Sequence, residues 1–182
     1  MSILETERLK LRRFSPDDWK DLYEYLSLEE VVRFEPYDVF TKEQCKKEAI
    51  NRSNQKAFWA VCLKDNDKLI GNVFFNQQKP KDFLTWEIGY VFNPLYYGKG
   101  YATESCKRIL EYGFEKLKAR RIVARCNPEN TPSWQLLERL NMRREGYLRK
   151  NIYFKCNEKG EPIWNDTYEY AILGDEWYEF YT

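Results

Sequence analysis

One stretch, LTWEIGYVFNPLYYGKGYATES from Leu84 to Ser105, constrains the fold more than any other part of the chain. Its first part, Leu84–Phe92, is short, apolar and rich in β-forming residues, which predicts a buried strand. Asn93-Pro94 ends that strand, because proline lacks the amide hydrogen that a central strand requires. Behind Gly98-Lys99-Gly100 the apolar residues recur at helical spacing, so a helix begins there. A strand, a glycine loop and a helix N-terminus in succession predict an anion site, ideally for a phosphate.

Two common nucleotide-binding motifs do not account for this loop. The P-loop pattern GxxxxGK[ST] is absent from the chain. A dinucleotide-binding turn would need glycine or alanine where Thr103 stands, and the segment Asn93–Tyr97 is too long for such a tight turn. The dinucleotide interpretation is therefore weak, and the loop favours another phosphate-bearing ligand.

Composition narrows the chemistry that the loop could serve. The 182 residues include no histidine, which excludes histidine triads, histidine general bases and histidine metal sites. A net charge of +1 gives no argument for nucleic acid or membrane as a partner, and no run of apolar residues is long enough to span a bilayer. The N-terminal sequence lacks the apolar core of a signal peptide. The 5 dispersed cysteines are typical of reduced thiols, so we expect a cytoplasmic protein without a bound metal.

Repeating patterns divide the rest of the chain. Leu4–Phe14 alternates as a first strand, and helix starts are predicted at Ser15-Pro16 and at the capping box Thr41-x-x-Gln44. Another helix opens at Thr131-Pro132, and further strands are predicted at residues 58–63, 69–77, 121–126, 145–154 and 167–173. No repeat or linker interrupts this order, so residues 1–182 are predicted to form a single α/β domain with a mixed sheet.

Three segments carry a specific resemblance: TERLKLRRFSPDDWKDLYEYL, GYVFNPLYYGKGYATE and NPENTPSWQLLERLNMRREG. They resemble the GNAT superfamily of N-acetyltransferases. The second is similar to its acetyl-CoA motif (Q/R)xxGx(G/A), and the third to the NxxSxxLLEKxGFxxEG segment of the subgroup that acetylates ribosomal-protein N-termini. The resemblance implies a GNAT-like α/β fold, with a mostly antiparallel sheet of about seven strands flanked by about four helices. It also implies acetyl transfer from acetyl-CoA to a primary amine of a small molecule or a protein N-terminus, by direct attack in a ternary complex.

The same resemblance assigns the acetyl-CoA site to the glycine loop. It implies that pyrophosphate is held by the backbone amides of Tyr97, Gly98, Lys99, Gly100, Tyr101 and Ala102. It places a backbone amide of Val91 or Phe92, at a β-bulge between separating strands, on the thioester carbonyl. Asn130 matches the asparagine that binds the pantetheine arm, although it could equally serve as a helix cap. Leu95 departs from the family motif, which has glutamine or arginine there.

Two side chains are candidates for proton transfer. Glu87 is the one carboxylate in its apolar strand, where burial makes a carboxylate a stronger base, and it matches the glutamate of lysine acetyltransferases in the superfamily. Ser133 matches a serine that the ribosomal-protein subgroup places near the sulfur, since the tyrosine of most members falls on Leu137. A buried structural glutamate and a capping serine are the alternatives. The subgroup's next carboxylate falls around Ile152, which argues against ribosomal-protein acetylation.

The acceptor side is predicted from the connector Val31–Phe40, which covers the acceptor site in the resembled family. Phe34 and Tyr37 are therefore candidate substrate contacts, although they could simply roof the core. The implied partners are acetyl-CoA and an amine, bound by a monomer or a homodimer. An alternative function from another class is a non-catalytic acyl-CoA-binding sensor with the same pocket.

Overall fold

A single mixed sheet organises the computed structural model, which describes residues 3–181. Its strands are β1 Leu4–Glu5, β2 Leu9–Arg12, β3 Phe58–Leu63, β4 Leu69–Gln77, β5 Thr85–Phe92, β6 Arg121–Cys126, β7 Arg143–Cys156 and β8 Pro162–Leu173. They lie in the order β1-β2-β3-β4-β5-β6-β8-β7. All neighbours pair antiparallel except β5 and β6, which run parallel and are joined by a helical crossover. The predicted mostly antiparallel sheet is confirmed, with eight strands.

Helices cover both faces of the sheet. They are α1 Trp19–Leu26, α2 Glu29–Val32, α3 Lys42–Ser53, α4 Tyr101–Glu115, α5 Thr131–Arg139 and α6 Gly174–Tyr181. Buried residues of α1 and α3 form one apolar core, and those of α4, α5 and α6 form another on the opposite face. The described part of the chain thus has six α-helices, where the sequence predicted about four.

The predicted helix starts are confirmed by their side-chain bonds. The Ser15 hydroxyl accepts from the Asp17 amide, and the Asp18 carboxylate accepts from the Ser15 amide at 2.7 Å. Thr41 and Gln44 close the predicted capping box, at 2.8 and 3.2 Å. Each pair satisfies amides that a helix start would otherwise leave unbonded.

Two sequence predictions need correction. The alternating segment Leu4–Phe14 is not one strand, because Thr6 and Leu9 bond each other reciprocally and turn the chain back, so that β1 pairs with β2. The strands predicted at 145–154 and 167–173 are longer than expected, since they span Arg143–Cys156 and Pro162–Leu173 and pair as a hairpin.

The helices found among residues 3–181 are all too short or too polar to cross a bilayer.

Candidate functional site

The central feature is a gap between β5 and β6. The two strands pair only where Thr85, Trp86 and Glu87 lie beside Arg121, Ile122 and Val123. Beyond Glu87 they part, so residues 88–92 have no strand neighbour on this side. On its other side β5 stays paired with β4, from Trp86 to Phe92. The gap therefore opens towards the end of β5, where the glycine loop and α4 follow.

Backbone bonding shows which amides face the gap. The Gln78 amide donates to the Thr85 carbonyl at 2.8 Å, and the Asn93 amide donates to the Ile70 carbonyl at 2.9 Å. Bonding alternates along an antiparallel pair, so the odd-numbered residues of β5 bond to β4 and the even-numbered ones face the gap. The Tyr97 hydroxyl accordingly reaches the Phe92 carbonyl at 3.1 Å.

This alternation separates the two residues predicted to meet the thioester. The Val91 amide faces β4 and bonds to it, whereas the Phe92 amide faces the gap. The β4–β5 register also runs from Gln77 opposite Trp86 to Gly71 opposite Phe92 without a shift. The predicted β-bulge at this point is therefore wrong, and ordinary strand alternation presents the Phe92 amide instead.

The glycine loop offers a row of unused amides. Gly98 and Gly100 have positive φ angles of 72° and 80°, and no atom lies within 4 Å of the position where a Cβ of Gly98 would stand. Among the described residues, the amides from Gly98 to Ala102 donate to no acceptor. The amide of Thr103 is also unbonded, and sequence reasoning missed it. The Tyr97 amide must be removed from the predicted set, because it already donates to the Pro94 carbonyl at 3.1 Å.

Cationic side chains fix and flank this loop. Arg8 donates to the Lys99 carbonyl at 3.0 Å and pairs with Glu104 in the first turn of α4 at 2.6 Å. The pKa of Glu104 is lowered: burial alone would raise it, but hydrogen bonds from Thr6 and Arg8 outweigh the effect of burial. Arg139 of α5 reaches the Thr103 hydroxyl at 3.4 Å, which adds a cation at the helix N-terminus. Neither arginine was singled out from the sequence, because each contact joins distant segments.

The start of α5 brings Asn130 and Ser133 to the gap, next to Tyr90 of β5. Asn130 precedes the helix, but its side chain makes no capping bond and is half-buried, so the alternative cap role does not apply. The Ser133 hydroxyl lies 3.1 Å from the Tyr90 hydroxyl, which donates to the Ser133 carbonyl at 2.9 Å. Burial raises the pKa of Tyr90 well above its ordinary value of 10.0, so the phenol keeps its proton at neutral pH.

Sequence reasoning missed Tyr90, although the alternation of β5 contains the signal. Tyr90 and Glu87 are an odd number of residues apart in one strand, so their side chains point to opposite faces. Tyr90 packs with the α4 and α5 core, on the side where Ser133 lies.

Glu87 differs from its predicted environment. It is half-buried rather than buried alone, and it accepts from Gln78 Nε2 at 2.8 Å and pairs with Arg125 at 3.4 Å. Arg125 also pairs with Glu169 at 2.9 Å. The expectation of a lone carboxylate buried in an apolar strand is therefore wrong, because Glu87 is tied to an amide donor and a cation.

The connector between α2 and α3 covers a cavity on the same face of the sheet as Glu87. The cavity measures about 130 Å³, and its walls include Phe34, Glu35, Asn127, Phe154, Ile163 and Asn165. The predicted contact Phe34 thus lines it. The second predicted contact, Tyr37, packs edge-on against Phe40 at 5.2 Å and belongs to the α1 and α3 core.

Comparisons with known proteins agree with this architecture. Residues 8–143 match the family described as Acetyltransferase (GNAT) domain. The chain is 42% identical over 175 residues to the uncharacterized N-acetyltransferase YnaD of Bacillus subtilis (strain 168), covering 96% of this chain and 98% of that protein. It is 34% identical over 183 residues to the uncharacterized N-acetyltransferase p20 of Bacillus licheniformis, covering 97% and 99%. The solved structure of an acetyltransferase (GNAT family) from Bacillus anthracis superposes with a TM-score of 0.86 at 39% identity, covering 96% of this chain and 100% of that one.

Proposed function

This chain belongs to the GNAT family of acetyltransferases, and we propose how its own residues carry acetyl from acetyl-CoA to a primary amine in a ternary complex. The observation that supports the proposal most is the parting of β5 from β6 after Glu87, directly before a loop with unused amides. A gap between strands accepts a long, narrow ligand arm, and a helix N-terminus with free amides accepts its phosphates.

The donor side would bind acetyl-CoA through backbone groups. The amides from Gly98 to Thr103 would hold the pyrophosphate, with Lys99 and Arg139 supplying positive charge. Asn130, whose side chain is free of protein partners among the described residues, would bond the pantetheine arm. The Phe92 amide, which faces the gap, would donate to the thioester oxygen as negative charge develops there.

The departing thiolate would take a proton from the paired hydroxyls of Ser133 and Tyr90. We assign the Ser133 hydroxyl as the donor, and Tyr90 can replace its proton because the phenol remains protonated at neutral pH. General acid catalysis of this kind contributes about 10²–10⁴-fold to rate.

On the acceptor side, Glu87 would attract and orient the incoming ammonium. Its contacts with Gln78 and Arg125 hold the carboxylate in place. The cavity under Phe34 would receive the amine. The general-base role predicted for Glu87 from the sequence stays a hypothesis, which the Glu87→Gln variant in the Discussion tests.

A cytoplasmic location is part of the proposal. All five cysteines are free, and three of them are buried in the core, as in proteins of a reducing compartment.

The decisive experiment measures CoA thiol release from acetyl-CoA with and without an amine. The panel would contain spermidine, ethanolamine and peptides with free N-terminal alanine or serine. We expect amine-dependent thiol release, with the acetylated amine identified by mass spectrometry. Tight acetyl-CoA binding without release for any amine would instead indicate a non-catalytic sensor.

A further inference from the structure

Glu35 is a carboxylate on the acceptor side that neither the family comparison nor the sequence motifs identify. It lies in the connector, where its backbone amide closes a turn on the Val32 carbonyl at 3.0 Å. The side chain lines the cavity together with Phe34 and Asn127, next to the point where β6 ends. The residue is half-buried, and it lines the cavity that is proposed to receive the amine.

Several charged or titratable groups face Glu35 from four elements. They are Arg33 and Tyr37 of the connector, Arg52 of α3, Tyr97 of the glycine loop and Lys155 of β7.

Each of the three cations in this set already forms an ion pair with a carboxylate other than Glu35. Arg33 pairs with Glu129 at 3.5 Å, Arg52 with Glu48 at 2.6 Å, and Lys155 with Asp38 at 2.9 Å. No ion pair among residues 3–181 includes Glu35, which leaves this carboxylate open to a cationic ligand.

Its neighbours place Glu35 close to the gap and adjust its basicity. Burial raises the pKa of Glu35 to about 7, while a hydrogen bond from Tyr37 and the charge of Arg52 act in the opposite direction. Burial, and then the charges of Glu30 and Glu35, raise the pKa of Tyr97. The Tyr97 hydroxyl itself bonds the Phe92 carbonyl at the edge of the gap. Tyr97 therefore links Glu35 electrostatically to the edge of the gap.

We propose that Glu35 is the proton acceptor for the amine, and so a further catalytic residue of the acetyl transfer. This inference rests on the proposed function and adds the identity of the base. The Glu35 carboxylate would take one proton from the bound ammonium, giving the free amine and a neutral carboxylic acid. The nitrogen lone pair then forms the bond to the acetyl carbon, and the carbon–sulfur bond breaks. The nitrogen releases its second proton to solvent, and the CoA thiolate takes a proton from the Ser133 hydroxyl, which is reprotonated from solvent through Tyr90. Glu35 returns its own proton to solvent, so one proton is released in each turnover.

The two acceptor-side carboxylates, Glu87 and Glu35, then have different roles for a physical reason. Glu87 is held by Arg125 and Gln78, so its carboxylate is fixed in position and suited to orienting the ammonium. Glu35 has no ion pair among residues 3–181 and lines the acceptor cavity, and burial raises its pKa to about 7, a range that suits a general base.

The test compares Glu35→Gln with Glu87→Gln across pH 5.5–9, using the best acceptor from the amine panel. Both substitutions remove one negative charge from the same face of the sheet, so they are matched controls for electrostatics. We expect wild-type kcat/KM to fall below pH 7, and Glu87→Gln to keep that limb. Glu35→Gln should lose the limb and fall about 10²-fold or more at pH 8. Glu35→Asp should recover part of the activity.

The possible failures are distinguishable. If Glu35→Gln keeps the acidic limb and most of its activity, the assignment of Glu35 is wrong while the enzyme remains an acetyltransferase. If the wild type acetylates no amine on the panel, the proposed function itself fails. Calorimetric titration with CoA on every variant shows whether the donor site is intact, since a variant that no longer binds CoA has lost its fold and Glu35→Asp then replaces it.

Discussion

The hydroxyls of Tyr90 and Ser133 lie 3.1 Å apart, although their residues belong to a central strand and to a helix 43 positions later. Tyr90 also donates to the Ser133 carbonyl at 2.9 Å, so two oxygen atoms of Ser133, the hydroxyl and the carbonyl, hold the phenol in place. The thiol of Cys126, whose pKa burial raises to about 11, adjoins the same serine. At neutral pH every member of this group carries its proton.

Removing either hydroxyl should slow turnover without weakening CoA binding. We expect Ser133→Ala and Tyr90→Phe each to lower kcat about 10–100-fold, because each breaks the proton supply to the thiolate. Since the two hydroxyls act as a unit, the double variant should lose little more than the worse single variant. Steady-state kinetics and CoA titration check this; equal losses in kcat and CoA affinity would indicate a structural role for Ser133.

Gly100→Val should abolish CoA binding. The side chain would stand at φ 80°, with its Cβ 3.4 Å from the Arg8 guanidinium and beside the unused amides that are proposed to hold the pyrophosphate. Wild-type protein at a hundredfold excess of CoA over Kd should gain about 2.7 kcal/mol, a rise in Tm of roughly 5–10 °C. Gly160→Val is the matched control, because Gly160 has the same φ of 80° in the β7–β8 loop with nothing within 4 Å. It should suffer similar strain and keep the shift; a Tm rise in Gly100→Val would contradict the loop assignment.

Glu87→Gln should act mainly on amine binding. Loss of one charged hydrogen-bond acceptor costs about 1.5–3 kcal/mol, which corresponds to a KM for the amine raised roughly 10–100-fold. The effect on kcat should be smaller, and CoA affinity should be unchanged. A fall of kcat by 10²-fold or more with an unaltered KM would instead identify Glu87 as the base.

Glu35 should make the folded protein less stable as pH rises. Below pH 4.5 the carboxyl is protonated in both the folded and the unfolded chain, so it has no effect. Between 4.5 and about 7 the unfolded chain ionises first, and the free energy of unfolding falls until the folded form ionises as well. The loss reaches at most about 3 kcal/mol.

Urea unfolding of the wild type and of Glu35→Gln at pH 5 and pH 8 measures this loss. The variant's stability relative to the wild type should rise by about 2–3 kcal/mol between these values, and other titrating groups cancel in the difference. A constant difference would show that Glu35 titrates near its ordinary range. This measurement needs no substrate, so it is independent of which amine is acetylated.

Local signals in the sequence predicted most of the fold. The capping residues Ser15 and Thr41 and the paired strands within 58–77 all depend on neighbouring residues, which a single sequence displays. The turn at Thr6 was missed because alternation alone does not reveal a reciprocal bond three residues apart.

The candidate site was less predictable because its contacts join distant segments. The sequence identified Glu87 as a strand carboxylate, but its partner Arg125 lies 38 residues away. It gave no reason to choose Glu35, whose open carboxylate depends on which neighbouring cations are already paired. Val91 and Phe92 could be told apart only once the register of β4 and β5 was known.

In the proposed mechanism, strand β5 separates the two reactants. Its even-numbered side chains, such as Tyr90, point to the face proposed for the thiol, and its odd-numbered ones, such as Glu87, point to the face proposed for the amine. A slip of one residue against β4 would exchange the two sets, leaving a carboxylate in the apolar core and a phenol among the acceptor groups. The unbroken pairing from Gln77 to Gly71 therefore keeps Tyr90 and Glu87 on opposite faces, as the proposed proton transfers require, and it also stabilises the sheet.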